Sequence, residues 1–156
     1  MVRQLAPWFD NVGKRLRRAP KVYLRDSGLL HSLLGIVGPR DLSGHPKLGA
    51  SWEGFAMEHA IRFSGIDSAE AFYWSVHGGA EIDMVAIRGG GRVGFEFKYS
   101  DAPRMTRSLG SAVRELRLDR AFVVVPNRGE RAVRYELDER TTVVDLASLK
   151  DALLLL

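Results

Sequence analysis

The stretch Ala80-Glu-Ile-Asp-Met-Val-Ala-Ile-Arg88, continued by Gly89-Gly-Gly-Arg-Val-Gly-Phe-Glu-Phe-Lys-Tyr99, decides the fold. Each half is apolar, and three consecutive glycines separate the halves. The pattern predicts two antiparallel strands, Glu81–Ile87 and Arg92–Tyr99, joined by a tight turn. Charged groups are costly within a sheet unless they are paired or hold a metal. Asp83, Glu96 and Lys98 on one hairpin therefore point to divalent-metal phosphodiesterase chemistry.

Working outward, Ala71–Val76 reads as a further strand, turned at His77-Gly-Gly79 into the hairpin. Thr106 to Leu118 has helical spacing, with Leu109, Val113 and Leu116 inward. Ala121–Val125 is wholly apolar, as buried strands are. A helical crossover predicts that it lies parallel to Arg92–Tyr99, with a right-handed connection. Ala132–Leu137 and Thr141–Val144 read as shorter strands, and Leu146–Leu155 as a last helix.

Upstream, Ser51 is a candidate cap for a helix reaching Phe63, stopped by Gly65. Leu48, Trp52, Phe55, Ala56, His59 and Phe63 give it an apolar stripe. Trp52, Trp74 and Phe72 read as core residues in preference to a stacking surface. Residues 1–47 read as an irregular lead-in. Within it, Val2–Trp8 suits a strand, Gly13–Pro20 a basic turn, and Lys21–Arg25 an extended piece. Asp26 or Ser27 suits a helix cap over Gly28–Leu34, and Val37–Lys47 a loop. Residues 48–156 form the main domain. The fold class is α/β: an antiparallel meander plus a parallel strand in one mixed sheet, flanked by helices.

The chain has 156 residues, 46% of them hydrophobic and 27% charged. This is the composition of one globular domain. Without cysteine, a disulfide scaffold, a thiolate metal site and a cysteine nucleophile are excluded, and a reducing cytoplasm is the expected location. No stretch approaches the ~18 apolar residues of a membrane span. The net charge is +4. Arg3, Lys14, Arg15, Arg17, Arg18, Lys21 and Arg25 face only Asp10 and Asp26 in the first 26 residues. Such a cluster suits a polyanion, with Lys14, Arg15, Arg17 and Arg18 as candidate nucleic-acid contacts. A solvated surface, or a face meeting an acidic domain, would have the same composition.

The chemistry follows from strand geometry. Alternation places Glu96 and Lys98 on one face, and Glu81, Asp83 and Val85 together on the neighbouring strand. Strands lie ~4.8 Å apart and i to i+2 spans ~6.6 Å. Asp83 and Glu96 are thus candidate ligands of one Mg²⁺ or Mn²⁺, with the Phe97 carbonyl as a further ligand. Lys98 would orient the attacking water or stabilise the transition state. Glu53 would join the metal directly or through water, and Glu81 is a weaker candidate. The competing structure is a partly solvated cross-strand ion pair of Asp83 and Lys98, with Glu96 beside it. The four histidines, His31, His45, His59 and His77, have no ligand spacing.

The helix, the Asp83 strand and the Glu96-Phe97-Lys98 strand resemble the PD-(D/E)XK, or restriction-endonuclease-like, core. Ile82 stands where that motif has proline. Five segments in order, Lys21-Val-Tyr-Leu-Arg-Asp-Ser-Gly-Leu-Leu30, Gly44-His-Pro-Lys-Leu-Gly49, Trp52-Glu-Gly-Phe55, Gly79-Ala-Glu-Ile-Asp83 and Phe95-Glu-Phe-Lys98, resemble the C-terminal domain of bacterial and archaeal AAA-type ATPases. The resemblance covers about residues 10–150. It implies a nuclease-like domain with Asp83, Glu96, Lys98 and Glu53 in the site, acting on DNA. It also implies a P-loop ATPase partner in cis or in trans, often through a winged-helix segment whose tail residues 1–20 would be. The chain has no Gly-x-x-x-x-Gly-Lys-Ser/Thr stretch, so no ATP is expected to bind it, and it is expected to be a fragment or a stand-alone descendant. A non-catalytic module binding nucleic acid or protein on the same fold is the alternative function.

Overall fold

Eight strands hydrogen-bond into one mixed sheet among the described residues. They are β1 (Val2–Pro7), β2 (Lys21–Leu24), β3 (Ala71–Ser75), β4 (Glu81–Arg88), β5 (Gly91–Phe97), β6 (Arg120–Val125), β7 (Arg134–Glu136) and β8 (Thr141–Asp145). The computed structural model describes residues 1–8, 19–76, 79–127, 129 and 131–155. Spatial order across the sheet is β2-β1-β3-β4-β5-β6-β8-β7. The predicted meander is present: β3, β4 and β5 are successively antiparallel. So is the predicted parallel pairing of β5 with β6, and β8 adds a further parallel strand beside β6. Gly89 and Gly90 have φ of 56° and 83°, the left-handed pair that a two-residue hairpin turn requires, and Arg88 pairs with Gly91 across them.

Five α-helices accompany the sheet among the described residues: α1 (Ser27–Leu33), α2 (Pro39–Ser43), α3 (Leu48–Ser64), α4 (Arg107–Glu115) and α5 (Leu146–Leu154). Asp26 caps α1 by accepting from the Leu29 N–H at 2.9 Å. Thr106 caps α4 through the Leu109 N–H at 3.1 Å, and Asp145 caps α5 through the Ser148 N–H at 2.8 Å. Gly65 ends α3 at φ 65°, as its position predicts.

Two apolar layers result. On one face α3 and α5 bury Met57, Ala60, Ile61, Leu149 and Leu153 against Met84, Phe95, Phe97, Phe122 and Val124. On the other, α4 buries Leu109, Ala112 and Val113 against Ile82, Val85, Ala121 and Val123. Phe95 and Phe97 thus point to the α3 side, while Gly94, just before Phe95, faces Ile82 and Leu118 on the α4 side.

Several expectations need correction. The lead-in is part of the sheet: β1 pairs with β3 through Ala6↔Phe72 and Pro7↔Tyr73, and β2 pairs with β1. Leu5 is fully buried, which ties this segment to the core. Helix α3 starts at Leu48, not after Ser51; the Ser51 N–H already donates to the Lys47 carbonyl at 2.8 Å. The Ser51 hydroxyl instead meets His31 Nε2 at 2.6 Å. The expected apolar stripe faces the core only in part: Ala56 is fully buried, and Trp52 and Phe63 pack against the core from its border. The buried positions of α3 are small or slender ones, among them Gly54, Ala56, Met57 and Ala60. Gly54 lets the helix approach β2, since a Cβ there would lie 3.6 Å from the Tyr23 ring. Trp52, His59 and Phe63 are left half-buried at the border and Phe55 exposed. Trp74 is core and Phe72 packs partly against it, whereas Trp52 is only partly covered. Lys98 and Tyr99 lie just past β5, although the Lys98 N–H still donates to the Val124 carbonyl at 3.0 Å.

Candidate active site

Strand β4 does not keep strict alternation. Between the pairs Phe72↔Val85 and Trp74↔Ile82 the register slips by one, so that Tyr73 faces both Asp83 and Met84. Ile82 and Val85 consequently enter the same α4-side cluster, while Met84 enters the opposite one. A bulge of this kind bends a strand and re-aims a side chain. The expected common face of Glu81, Asp83 and Val85 therefore does not exist as such. On the other side of β4, the regular pairing with β5 runs from Arg88↔Gly91 to Met84↔Phe95. Just beyond it, the Asp83 carboxylate itself accepts the Phe97 N–H at 2.8 Å. The two strands part here, and the site occupies the opening.

Asp83 and Glu96 are both buried, each 7% exposed. Lys98 Nζ lies 2.6 Å from Glu96 Oε1. The ion pair is thus Lys98 with Glu96, two residues apart in the chain at the end of β5, and not Lys98 with Asp83 across the hairpin. Glu96 Oε2 is buried and has no hydrogen-bond partner among the described residues. Burial, then the neighbouring charges of Glu96 and Glu53, push the Asp83 carboxyl up to about 8, against the pull of the Phe97 N–H. Burial also raises the Glu96 carboxyl, more than Lys98 lowers it, with Glu81 and Glu53 adding to the rise. Burial alone would lower the Lys98 pKa, but the hydrogen bond to Glu96 and the charges of Glu96, Asp83 and Glu81 together outweigh it and raise it, so Lys98 stays charged.

Glu53, on α3, is brought to the same place. Its Oε1 accepts the Tyr23 hydroxyl at 2.5 Å. Burial, then that bond, holds the Tyr23 hydroxyl protonated well above its ordinary range. Lys21 Nζ lies 3.9 Å from Glu81 Oε2 and 5.4 Å from the centre of the Tyr73 ring. Ser108, at the start of α4, bonds the Glu81 N–H and carbonyl at 2.7 and 2.8 Å. The sequence-predicted residues Asp83, Glu96, Lys98 and Glu53 are therefore neighbours. Tyr23 and Lys21 were missed as site residues, although they alternate within the segment Lys21-Val-Tyr-Leu24 and so share a face of β2.

Three carboxylates within electrostatic reach of one another are not yet a metal cage. Among the described residues no group of three or more His, Asp or Glu side chains is disposed to hold one ion. The histidines serve elsewhere: His45 Nδ1 accepts the Lys47 N–H at 3.1 Å and orders its loop, and His59 Nδ1 meets the Phe55 carbonyl at 2.9 Å. Of the basic lead-in, Arg3 and Arg25 both bond Glu58. Lys14, Arg15, Arg17, Arg18 and His77 lie outside the described residues.

Residues 48–149, the segment that carries α3, the meander and the parallel strands, match the family described as "Domain of unknown function (DUF4143)". The chain belongs to that family. Residues 1–40 match a second one, "Domain of unknown function (DUF8612)". An uncharacterised protein of Mycobacterium tuberculosis and one of Mycobacterium bovis are each 44% identical over 144 residues, 92% of this chain. The chain spans about a third of the length of these relatives, 31% of each. No solved structure matches it.

Proposed function

We propose that this DUF4143 domain is a metal-dependent phosphodiesterase of nuclease type, acting on DNA from a restriction-endonuclease-like core. One observation carries the proposal: the buried carboxylate of Glu96 keeps Oε2 without a partner among the described residues, while burial pushes Asp83 beside it up to about 8. An unpartnered buried polar atom costs about 1–3 kcal/mol, and crowded buried acids of this sort mark sites built for a cation or for proton transfer. Mg²⁺ suits the donors, since it takes few protein carboxylates and keeps waters and phosphate oxygens; Mn²⁺ would serve equally.

Asp83 and Glu96 would hold the ion. Glu53 would meet it through water, and Tyr23 would position that carboxylate. When bound, the ion lowers the pKa of a coordinated water and offsets charge on the scissile phosphate. Lys98 stays protonated beside Glu96, so it serves as an electrostatic partner for the attacking water or for the phosphate oxygens, not as a base. Lys14, Arg15, Arg17 and Arg18 are assigned to the nucleic-acid backbone. A P-loop ATPase acting in cis or in trans, and a cytoplasmic setting, belong to the same proposal. The lack of a ready three-carboxylate group favours the second reading, a non-catalytic module that binds nucleic acid or protein.

Thermal unfolding separates the two. Millimolar Mg²⁺ or Mn²⁺ is expected to raise the melting temperature of the wild type by a few degrees, and that of Asp83→Asn not at all. Nicking of supercoiled plasmid in Mg²⁺ is expected from the wild type and not from Lys98→Ala. A wild type indifferent to both metals overturns the site.

A further inference from the structure

Aromatic side chains at the border of α3, continued by Tyr99, form a connected ladder, in which Trp52 and Phe63 also rest against the core. Tyr99 and Trp52 have ring centres 6.1 Å apart, Trp52 and Phe55 6.0 Å, Phe55 and His59 4.3 Å, and His59 and Phe63 5.8 Å. From Trp52 to Phe63 the ladder follows the helix for about 16 Å. It starts at the candidate site from both sides, because Tyr99 follows Lys98 and Trp52 precedes Glu53 in the chain. Phe55 is 38% exposed and Tyr99 41%. Trp52 and Phe63 gain burial against the core cluster, whereas Phe55 and Tyr99 set much of their ring surface in solvent.

The ladder also lies beside positive charge. Phe55 and His59 line a cleft of about 430 Å³ together with Arg25 and Arg62. Two acids share that cleft and both are engaged: Glu58 bonds Arg3 and Arg25, and Asp26 caps α1. The Phe55 carbonyl can only accept, so His59 Nδ1 carries the proton and donates to it. Rings in a row next to guanidinium groups match one polymer chemistry: bases that stack and phosphates that pair with arginine. Only unpaired bases offer their faces, which selects a single strand over a duplex.

We infer that the Tyr99–Trp52–Phe55–His59–Phe63 ladder, with Arg25 and Arg62 at its edge, binds single-stranded nucleic acid and leads it to the Asp83–Glu96–Lys98 site. This names the substrate class of the proposed site and rests on that reading for its direction, but binding is measured without metal or cleavage. The probe is a fluorescein-labelled oligothymidylate in EDTA, followed by anisotropy, with circular dichroism melting as the check on folding. The wild type is expected to bind it in preference to a duplex of equal length. Phe55→Ala and Tyr99→Ala, at exposed positions, are expected to weaken binding about 5- to 100-fold with unchanged melting. Arg62→Ala is expected to weaken it and to lower its salt dependence. Tyr135→Ala, an equally exposed ring on β7, is the control and is expected to bind as the wild type does.

Binding that ignores Phe55 and Tyr99, equal binding of duplex, or no binding overturns the inference. So does a wild-type dimer, seen by sedimentation, that Phe55→Ala dissociates, since a second copy would then cover the ladder. None of these results touches the metal test on Asp83→Asn, so the two proposals fail separately.

Discussion

Glu96 and Asp83 illustrate how burial turns ordinary carboxyl groups into unusual ones. Lys98 satisfies one oxygen of Glu96, and the Phe97 N–H satisfies one of Asp83. Each partner is insufficient against desolvation, which dominates both shifts. The sign of the stability effect follows. A carboxyl near 8 in the folded chain and near its ordinary value when unfolded binds more protons folded. Its contribution is fully present below the ordinary carboxylate range and is lost as pH rises to about 8. In metal-free buffer Asp83→Asn, whose amide oxygen still accepts from Phe97, is expected to match the wild type near pH 4. At pH 8 it is expected to be more stable, on the order of 2 kcal/mol, as urea midpoints at the two pH values would show. A wild type equally stable at both, relative to the variant, would contradict the shift. Glu58 runs the other way. Burial opposes its charge, but hydrogen bonds from Arg3 and Arg25 prevail and hold its carboxyl below the usual range. Composition placed Arg3 and Arg25 in a basic cluster suited to a polyanion; only the fold shows that Arg3 is buried on an internal acid, while Arg25 bonds the same acid and stays half exposed.

At the scale of elements, the hairpin, the parallel crossover and the helix stops were legible because each has a local cause. Gly89 and Gly90 must take positive φ, Gly65 must end α3, and a run such as Ala121–Val125 can only be buried. The bulge in β4 was not legible, since it depends on how β3 aligns, and alternation alone placed Asp83 with Val85. The inward face of α3 was misjudged for a related reason. Hydrophobic spacing favours the large rings, whereas close approach to β2 favours Gly54 and the alanines. Gly94 shows the same closeness on the other face. A Cβ there would come within 2.4 Å of Leu118 Cδ1 and 2.7 Å of Ile82 Cδ1. Both neighbours are fully buried, so Gly94→Ala is expected to cost about 1–3 kcal/mol by overpacking, read as a lower urea midpoint. An unchanged midpoint would mean that the α4 layer yields freely.

For the whole molecule, the sheet joins the segment matching the second family to the domain proper. Leu5 is fully buried, the Trp8 N–H donates to the Tyr73 carbonyl at 2.6 Å, and β2 carries Lys21 and Tyr23 to the site. Removal of residues 1–8 is expected to lower the melting temperature by 10 °C or more, at about 2–4 °C per kcal/mol for a chain of this size. A truncated chain that melts like the intact one would show that β1 is an appendage. The α/β class, the order of the meander and its parallel continuation, and the identity of Asp83, Glu96, Lys98 and Glu53 as a group could all be read from the order of residues, because turns, caps and apolar periods act over a few neighbours. Which of these charges pair, the arrival of Tyr23 at Glu53, the slip in register opposite Asp83, and the exposure of the aromatic ladder arise from contacts between segments tens of residues apart. No local pattern encodes those distances; packing of α3 and β2 against the sheet sets them.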